Sequence, residues 1–266
     1  MTDAIKLSSR VTREFWEIPV LFEDEHLLAL DKPANVLLSP DRSDPPRPHL
    51  MKLLHAGIAE AKPWARQRQL SYLMHAHRLD FEASGVLLLA KSKSVLIALA
   101  NLFGSDKSLL TCHALVHGAP GPSPFEIDAP LAPHPMKPGF MQVDRHQGKR
   151  SRTRCQLLET FTGYSLLQCQ PLTWRTHQIR VHLQHHGLPV VGDPAYGGRQ
   201  LLLSTLKSTF RLKPNQTERP LISRVALHVT QLSLNHPVTG AAVTINAPLP
   251  KDLTVALKYL RRYASG

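Results

Sequence analysis

A run of five apolar residues, Val86–Ala90, directly follows a compact group of charged side chains in the stretch HRLDFEASG, residues 77–85. A continuous apolar run of this length beside a Ser-Gly turn is typical of a strand buried within a sheet. Solvated charge clusters usually lie in mobile loops, whereas this cluster is joined to a core strand. The sequence therefore predicts a sheet that holds ionisable side chains in fixed positions.

Short strands outnumber helices along the chain. Apolar runs predict strands at 18–22, 27–31, 36–39, 86–91, 109–116, 154–159, 164–170, 231–234 and 242–246. Helical spacing predicts helices at 50–58, 92–103, 176–185 and 250–263, with Ser92 and Thr176 as N-caps of the second and third. Because several adjacent strands are joined by tight turns, we predict an α+β fold with a mixed, mainly antiparallel sheet flanked by helices.

The charge of the chain points to a polyanionic partner. It carries 32 Lys and Arg residues against 20 Asp and Glu residues, a formal net charge of +12. Such an excess fits nucleic acid, an acidic membrane surface or solubility alone. Its distribution favours nucleic acid, because the segment from Lys137 to Arg154 contains six basic residues and one acid, Asp144. Residues 136–150 show no clear period, and we predict that they are irregular and exposed.

Other classes of protein lack support in the sequence. Cys112, Cys155 and Cys169 are widely spaced and form no C-x-x-C pair, which argues against a disulfide framework or a zinc ribbon. No apolar run approaches the roughly 20 residues that cross a bilayer, and no signal core precedes the first strand. Nucleotide-binding glycine motifs are missing as well. We therefore expect a cytoplasmic protein with no membrane partner, metal or nucleotide cofactor.

Asp80 is the first candidate for chemistry. It lies two residues from Arg78 and near His77, so the positive neighbours favour its ionised form. A carboxylate that stays charged at neutral pH can act as a nucleophile or a base. The alternative is a structural ion pair, because most Arg-x-Asp pairs carry out no chemistry.

The second candidate segment is PLTWRTHQIR, in which Arg175 and Arg180 lie just before and within the first turns of a predicted helix. The start of a helix carries positive partial charge, so arginines there indicate a nearby anion, either a phosphate or a carboxylate such as Asp80. His177, Arg180 and Gln184 share one face at helical spacing. The alternative is an exposed basic helix face.

Two further features of this region are interpreted as structural. His182 and His186 are spaced i, i+4 but have no glutamate between them and no third ligand, so we expect solvated or hydrogen-bonded histidines. Asp193 precedes Pro194 in a Gly-Asp-Pro turn, a combination that is common in loops.

Four ordered segments resemble motifs of the RluA-type RNA pseudouridine synthases. They are VLFEDEHLLALDKPANVLLSP (20–40), HRLDFEASGVLLLAKS (77–92), SRTRCQLLETF with YSLLQCQPLTWRTHQIRVHLQHHGLPVVGDPAYGG (151–161 and 164–198), and LHVTQLSLNHPVTGAAVTINAPLP (227–250). The resemblance implies the pseudouridine synthase fold with a central catalytic cleft. It also implies an isomerase that converts uridine in structured ribosomal or transfer RNA to pseudouridine without a cofactor.

The resemblance assigns roles to individual residues. Asp80 matches the catalytic aspartate, Arg180 the arginine that pairs with it, and Arg78 an arginine implicated in holding RNA open around the flipped nucleotide. Because a base within a stacked helix cannot be reached, the uridine has to leave the stack. We assign the neighbouring His77, Arg175 and His177 to substrate binding.

The sequence departs from the family pattern at several positions. Cys112, also assigned to substrate binding, stands where the family has an active-site tyrosine, and a thiol cannot stack on uracil as a phenol does. Ala83 replaces a usual threonine, while Asn35 and Trp174 replace usual glycines. Cys112 motivates an alternative function, an RNA-binding protein or RNA chaperone with weak or lost catalysis.

The resemblance covers residues 20–250, and we expect one catalytic domain over 1–266, with 1–19 as an N-terminal extension and no S4 domain. Target choice would then depend on loops such as Asp41–Pro48 and Pro133–Arg150. A glycoside hydrolase is a third hypothesis, but it needs a second carboxylate roughly 5 to 10 Å from the first. Glu82 is too close in sequence to Asp80 to fill that role.

Overall fold

A computed structural model describes residues 3–9, 11–40, 47–104, 108–213 and 215–265. The strands are β1 (Ala4–Ser8), β2 (Phe15–Glu23), β3 (Leu27–Lys32), β4 (Met74–His75), β5 (Ser84–Ala90), β6 (Ser108–His117), β7 (Phe125–Asp128), β8 (Leu131–Pro133), β9 (Met141–Val143), β10 (Arg152–Phe161), β11 (Tyr164–Pro171), β12 (Leu227–Asn235) and β13 (Ala242–Asn246). The α-helices are α1 (Leu50–Ala59), α2 (Pro63–Gln67), α3 (Lys93–Gly104), α4 (Gln178–His185), α5 (Leu203–Leu206) and α6 (Lys251–Tyr263).

The chain divides into two compact units. The first unit contains Met1–Leu110 and Val229–Pro248, and the second contains Thr111–His228 and Leu249–Gly266. The predicted α+β class with a mainly antiparallel sheet and flanking helices is confirmed. The interpretation of 1–266 as a single catalytic domain, and the central cleft, stay predictions.

The first unit is built on β1, β2, β3 and β5, which pair antiparallel in that order, with β12 next to β5 and β13 on β12. Every residue of β5 is buried, as its apolar run predicted. Leu87 and Leu89 of this strand belong to a core cluster that also contains Leu50 and Leu54 of α1. Burial of each such leucine stabilises the fold by about 1.5–3 kcal/mol. The predicted central strand and the first predicted helix are therefore confirmed.

The second unit contains the antiparallel order β6, β11, β10 and β7, together with a small two-stranded sheet of β8 and β9. Helix α4 contacts β9, β10 and β11. The predicted hairpin between residues 154–159 and 164–170 is confirmed by the pairing of β10 with β11. Helix α6 also agrees with its prediction, with Asp252 in its first turn and Arg261 and Arg262 in its last.

The strand predicted at 36–39 is wrong. Val36 and Leu38 are buried as an apolar run suggests, but the backbone here makes turns and bends. The carbonyls of Leu37 and Leu38 instead accept the N–H groups of Leu50 and Met51, at 2.7 and 3.3 Å. These are donors in the first turn of α1 that no carbonyl within the helix can satisfy, so the segment caps a helix and does not join a sheet.

Two loop predictions also change in the structure. The basic side chains of region 136–150 are exposed, as predicted. The region is not wholly irregular, however, because Met141–Val143 pairs with Leu131–Pro133. Asp144 then closes a turn by accepting the N–H groups of His146 and Gln147, both at 2.9 Å. The predicted loop Asp41–Pro48 falls mostly on residues 41–46, which lie outside the described residues.

Gly85, at the start of β5, allows two strands to approach closely. Its φ is +111°, and a Cβ atom added there would lie 2.1 Å from the carbonyl oxygen of Val229. No side chain fits this space, and an L residue rarely adopts this backbone conformation. The Ser84-Gly85 pair, predicted as a turn, instead begins β5, and Gly85 is required for the packing of β5 against the backbone of β12.

We expect Gly85→Ala to lower the free energy of unfolding by at least about 3 kcal/mol, because steric overlap adds to backbone strain. Gly163→Ala is the matched control, since Gly163 has a φ of +78° but open space around its Cβ position. The control should lose only about 1 kcal/mol. Equilibrium urea unfolding measures both, and equal losses would contradict the steric explanation.

Candidate active site

The backbone around Asp80 is held by a buried lysine. Lys32, the last residue of β3, is fully buried, and its Nζ donates to the carbonyls of Pro33 and Ala83, both at 2.9 Å. Longer bonds reach the carbonyls of Asp80 at 3.3 Å and Phe81 at 3.4 Å. An ammonium has three protons, so two strong bonds and a shared third satisfy it. We call residues 80–83 the Asp80 turn.

A second contact ties the Asp80 turn to the segment after β3. The N–H of Asn35 donates to the carbonyl of Phe81 at 2.8 Å. Asn35 has a φ of +61°, a left-handed conformation that asparagine tolerates better than most residues. This explains why asparagine can stand where glycine is usual. The N–H of Ala83 closes the turn itself by donating to the carbonyl of Asp80 at 3.2 Å.

The candidate side chains of the first unit differ in exposure. Asp80 is half-buried and Arg78 is exposed. His77, in contrast, is buried, and its Nε2 accepts the N–H of Leu88 in β5 at 3.1 Å. Its ring lies 5.3 Å from that of Phe103. Contact of His77 with substrate stays a prediction, and its burial favours a role in holding the motif against β5.

Burial lowers the pKa of His77 to about 4, and the nearby His75 adds a smaller effect in the same direction. The imidazole is therefore neutral at pH 7, which agrees with Nε2 acting as an acceptor. With Nε2 accepting, the single proton of the neutral ring lies on Nδ1.

In the second unit, the start of α4 brings together a cation and a carboxylate. Arg180 is almost fully buried, and its Nε and Nη2 donate to the two carboxylate oxygens of Asp193 at 2.7 and 2.8 Å. The prediction that a helix-start arginine indicates an anion is confirmed by this carboxylate. The alternative of an exposed basic helix face is wrong for Arg180, because the side chain lies inside the unit. Its predicted pairing with Asp80 stays a prediction.

The N-cap of α4 differs from the prediction. His177, not Thr176, is the N-cap residue, and it has a φ of +53° and makes no side-chain cap bond. Its Nδ1 instead lies 2.7 Å from the hydroxyl of Tyr196. The helix still ends as predicted, with His186 as C-cap and Gly187 at a φ of +78°.

Hydrogen bonds within the second unit fix the first turns of α4. The buried Gln178 donates to the carbonyl of Arg152 at 2.9 Å and to the hydroxyl of Thr153 at 3.0 Å. The Thr153 hydroxyl lies 2.9 Å from Nδ1 of His182, whose Nε2 is 2.9 Å from the carbonyl of Ala129. A carbonyl can only accept, so Nε2 of His182 donates. His182 is thus a hydrogen-bonded histidine, as predicted.

Cys112 lies in a row of three buried cysteines. Cys112 pairs with Cys169 across β6 and β11, and Cys169 pairs with Cys155 across β11 and β10. The Sγ atoms of Cys155 and Cys169 are 3.6 Å apart, and none of the three cysteines is in a disulfide bond. The hydrogen bond from Cys155, followed by burial, raises the pKa of Cys169 well above its ordinary value. The role of Cys112 in substrate binding stays a prediction.

The remaining predicted residues lie at the surface of the second unit. Arg175 is exposed, and its Nη1 donates to the carbonyl of the half-buried Trp174 at 2.8 Å. The basic side chains Lys137, Arg145, Lys149 and Arg150 are exposed as well. Arg152 and Arg154 both lie beside Glu126; Arg152 is half-buried and Arg154 is exposed.

No group of three or more His, Cys, Asp or Glu side chains within the described ranges is arranged to hold a metal ion. In the same part of the chain, no helix has both the length and the apolar character that crossing a membrane requires.

Comparison with known proteins identifies the family. The profile of the RNA pseudouridylate synthase family matches residues 26–185, which contain the Asp80 turn and the whole of α4. The chain belongs to this family. The resemblance seen in the four sequence segments is therefore confirmed.

The chain is similar to bacterial proteins that are named ribosomal large subunit pseudouridine synthases. The chain is 36% identical to ribosomal large subunit pseudouridine synthase D of Nitrosomonas europaea over 247 residues, covering 92% of this chain and 65% of the relative. It is 34% identical to ribosomal large subunit pseudouridine synthase C of Salmonella typhi over 249 residues, covering 92% and 70%. The chain thus spans about two thirds of the length of these family members.

Solved structures of family members share the fold. Human RNA pseudouridylate synthase domain containing 4 matches with a TM-score of 0.67 and 23% identity, covering 91% of this chain and 92% of that chain. Human RNA pseudouridylate synthase domain containing 1 matches with a TM-score of 0.62 and 23% identity, covering 88% and 84%. The predicted pseudouridine synthase fold is confirmed.

Sequence reasoning missed two residues of the site region. Lys32 directly follows the predicted strand 27–31, and no pattern in the sequence indicates its full burial, which is rare for lysine. Asp193 was interpreted as a turn residue, yet it is the fully buried partner of Arg180. The arginine at a helix start indicates an anion, but nothing in the spacing indicates that the anion is Asp193, 13 residues further along the chain.

We expect Lys32→Met to loosen the Asp80 turn while keeping the length of the side chain. Loss of the bonds to its carbonyls should speed amide hydrogen exchange at Ala83 by about tenfold or more. Lys91→Met is the control. Lys91 is another lysine of the first unit with hydrogen bonds to fixed acceptors, the carboxylate of Glu23 and the backbone carbonyl of Asp24, but these acceptors lie outside the Asp80 turn. Equal exchange at Ala83 in the two variants would contradict the role given to Lys32.

The neutral His77 should make stability depend on pH. The unfolded chain protonates this histidine near pH 6.5, but the folded protein resists protonation until about pH 4. The contribution of His77 is therefore complete above pH 6.5 and falls by about 3 kcal/mol as the pH drops to 4. His77→Gln, which cannot titrate, should remove this part of the pH dependence in urea unfolding, whereas the exposed His186→Gln should retain it. An unchanged slope in His77→Gln would refute the assignment.

Proposed function

We propose that the chain is an RNA pseudouridine synthase that isomerises uridine in structured ribosomal RNA and uses Asp80 as its catalytic carboxylate. The resemblance of the stretch HRLDFEASG to the catalytic motif of the family, with Asp80 at the start of a turn held by Lys32, carries this proposal. The names of the similar bacterial proteins favour ribosomal RNA of the large subunit as the substrate, with transfer RNA as the alternative class.

The reaction requires no atom beyond those of the nucleotide and water. The bond from the sugar to nitrogen N1 of uracil breaks, the base rotates, and a bond from the same sugar carbon to C5 forms. C5 then gives up its proton and N1 gains one, so the change is an isomerisation. A carboxylate that is ionised and partly shielded from water can start this sequence by adding to the sugar or the base, or by removing a sugar proton.

Two arginines complete the proposed catalytic group. Arg180 would pair with Asp80, since a guanidinium attracts a carboxylate and can donate hydrogen bonds to it. Arg78, which is exposed, would help to hold the RNA open around the flipped nucleotide. Unstacking a nucleotide costs a few kcal/mol, which contacts elsewhere have to offset.

Basic residues of the second unit supply such contacts in this proposal. Lys137, Arg145, Lys149 and Arg150 are exposed in the segments before and after β9, and Arg175 is exposed before α4. Their charges suit the phosphate backbone, which positions a protein on RNA without reading its sequence. Arg175 and His177 are assigned to substrate contact on this basis.

Replacement of Asp80 tests the proposal. Purified Asp80→Ala and Asp80→Asn should lower conversion of uridine in ribosomal RNA by at least about a thousandfold, because the reaction loses its only assigned reacting side chain. Their affinity for RNA should stay within about threefold of the unchanged chain, since phosphate contacts dominate binding. The readout is chemical mapping of pseudouridine together with filter binding.

Glu82→Gln is the matched control, because Glu82 is a half-buried carboxylate of the same turn. It should convert uridine at close to the unchanged rate. Conversion that survives in both Asp80 variants would refute the assignment of Asp80. RNA binding without conversion in any form of the chain would favour the RNA chaperone that the buried Cys112 suggests.

A further inference from the structure

A turn that follows α4 contains the motif GDPAYGG, residues 192–198. Its side chains have no role in the proposed function. Its backbone is tightly fixed. The carbonyl of Asp193 accepts the N–H groups of Tyr196 and Gly198 at 3.2 and 2.7 Å. Gly192 has a φ of +73°, and a Cβ there would lie 2.2 Å from the carbonyl of Arg224. The turn therefore presents Asp193 and Tyr196 in fixed positions.

Both of these side chains act on Arg180. Asp193 binds the edge of the guanidinium formed by Nε and Nη2, a two-bond arrangement that fixes both the distance and the plane of the group. The guanidinium carbon Cζ of Arg180 lies over the ring of Tyr196, 5.1 Å from the ring centroid. Arg180 is therefore held by two hydrogen bonds to Asp193 and by a cation–π contact with Tyr196, which together restrict the rotation of its side chain.

Tyr196 is itself held from two sides. Its hydroxyl accepts the N–H of Met141 in β9 at 3.0 Å and lies 2.7 Å from Nδ1 of His177. Its ring belongs to a small buried cluster with Leu131 and Val181, against which Phe140 packs. The position of Tyr196 is thus set by the paired strands β8 and β9 and by the start of α4.

We propose that Asp193 and Tyr196 are positioning residues for Arg180 in the isomerisation. Asp193 fixes the edge of the guanidinium that includes Nε and Nη2, which directs Nη1 away from Asp193 and toward a second acceptor. Under the proposed function, on which this inference rests, that acceptor is Asp80. Arg180 then acts as a pre-oriented donor whose geometry does not change when RNA binds, a property that favours catalysis.

A second ion pair of the same unit provides a comparison. Arg224 binds Asp252 with the same pair of atoms, Nε and Nη2, at 2.7 and 2.9 Å. Arg224 is nearly buried as well, although Asp252 is about one third exposed. This pair fastens α6 and includes no residue assigned to the site. It therefore reports what the loss of an arginine–carboxylate pair does to the fold alone.

The test compares Asp193→Asn with Asp252→Asn. Each keeps the size of the side chain and removes its charge. We expect Asp193→Asn to lower the single-turnover rate on ribosomal RNA by about a hundredfold, with the dissociation constant for RNA within about threefold of the unchanged chain. Asp252→Asn should lose thermal stability but keep its single-turnover rate within about twofold when assayed well below its melting temperature.

Tyr196 variants separate the ring from the hydroxyl and retain Asp193, so they test the claim even if Asp193→Asn does not fold. Tyr196→Leu removes the aromatic face and should lower the single-turnover rate by about tenfold. Tyr196→Phe keeps the ring over Arg180 and should lower the rate by less than about threefold. Equal losses in the two variants would overturn the role given to the ring.

The outcomes distinguish this inference from the proposed function. If the unchanged chain makes no pseudouridine, the proposed function fails and the positioning role with it. If the unchanged chain is active but Asp193→Asn and Asp252→Asn have equal single-turnover rates, the proposed function stands and Asp193 has only a structural role. A weaker affinity for RNA that accounts for the whole loss in Asp193→Asn also overturns the inference.

Discussion

The candidate site depends on the hydrogen bonds that the buried Nζ of Lys32 donates to backbone carbonyls. A cation without solvent is tolerated only where acceptors surround it, and here the acceptors are backbone carbonyls of the Asp80 turn and of Pro33. Lys32 lies opposite Gly85 in the pairing of β3 with β5, so the strands that form the core also set the position of the turn. The half-buried Asp80 is thereby placed on a rigid element rather than on a mobile loop.

Much of the fold could be predicted because it depends on local patterns. The apolar run Val86–Ala90 is a strand, Ser92 caps α3 by accepting the N–H of Val95, and β12 pairs with β13 around residues 236–240. Each of these features requires only residues within a few positions of one another. The resemblance to RNA pseudouridine synthases likewise depended on ordered segments, and the family is confirmed by the profile match.

The predictions that failed concern residues whose hydrogen-bond or ion-pair partners are distant in sequence, or whose backbone adopts a conformation that the local pattern does not favour. Residues 36–39 have the apolar content of a strand, but α1 takes their carbonyls. Thr176 has the chemistry of an N-cap, yet the left-handed backbone of His177 moves the helix start by one residue. Asp193 was expected to be only a turn residue, because nothing adjacent to it reveals that it meets Arg180. Long-range electrostatic pairs of this kind are not encoded in spacing or periodicity.

We propose that this chain makes pseudouridine in RNA and that Asp80 is its catalytic carboxylate. The most direct measurement is chemical mapping of pseudouridine in total RNA from cells that lack the gene and carry either the unchanged chain or Asp80→Ala at equal expression. The account predicts that at least one ribosomal position loses the modification in the deletion, regains it with the unchanged chain and does not regain it with Asp80→Ala. Identical maps in all of these cells, or full restoration by Asp80→Ala, would contradict it.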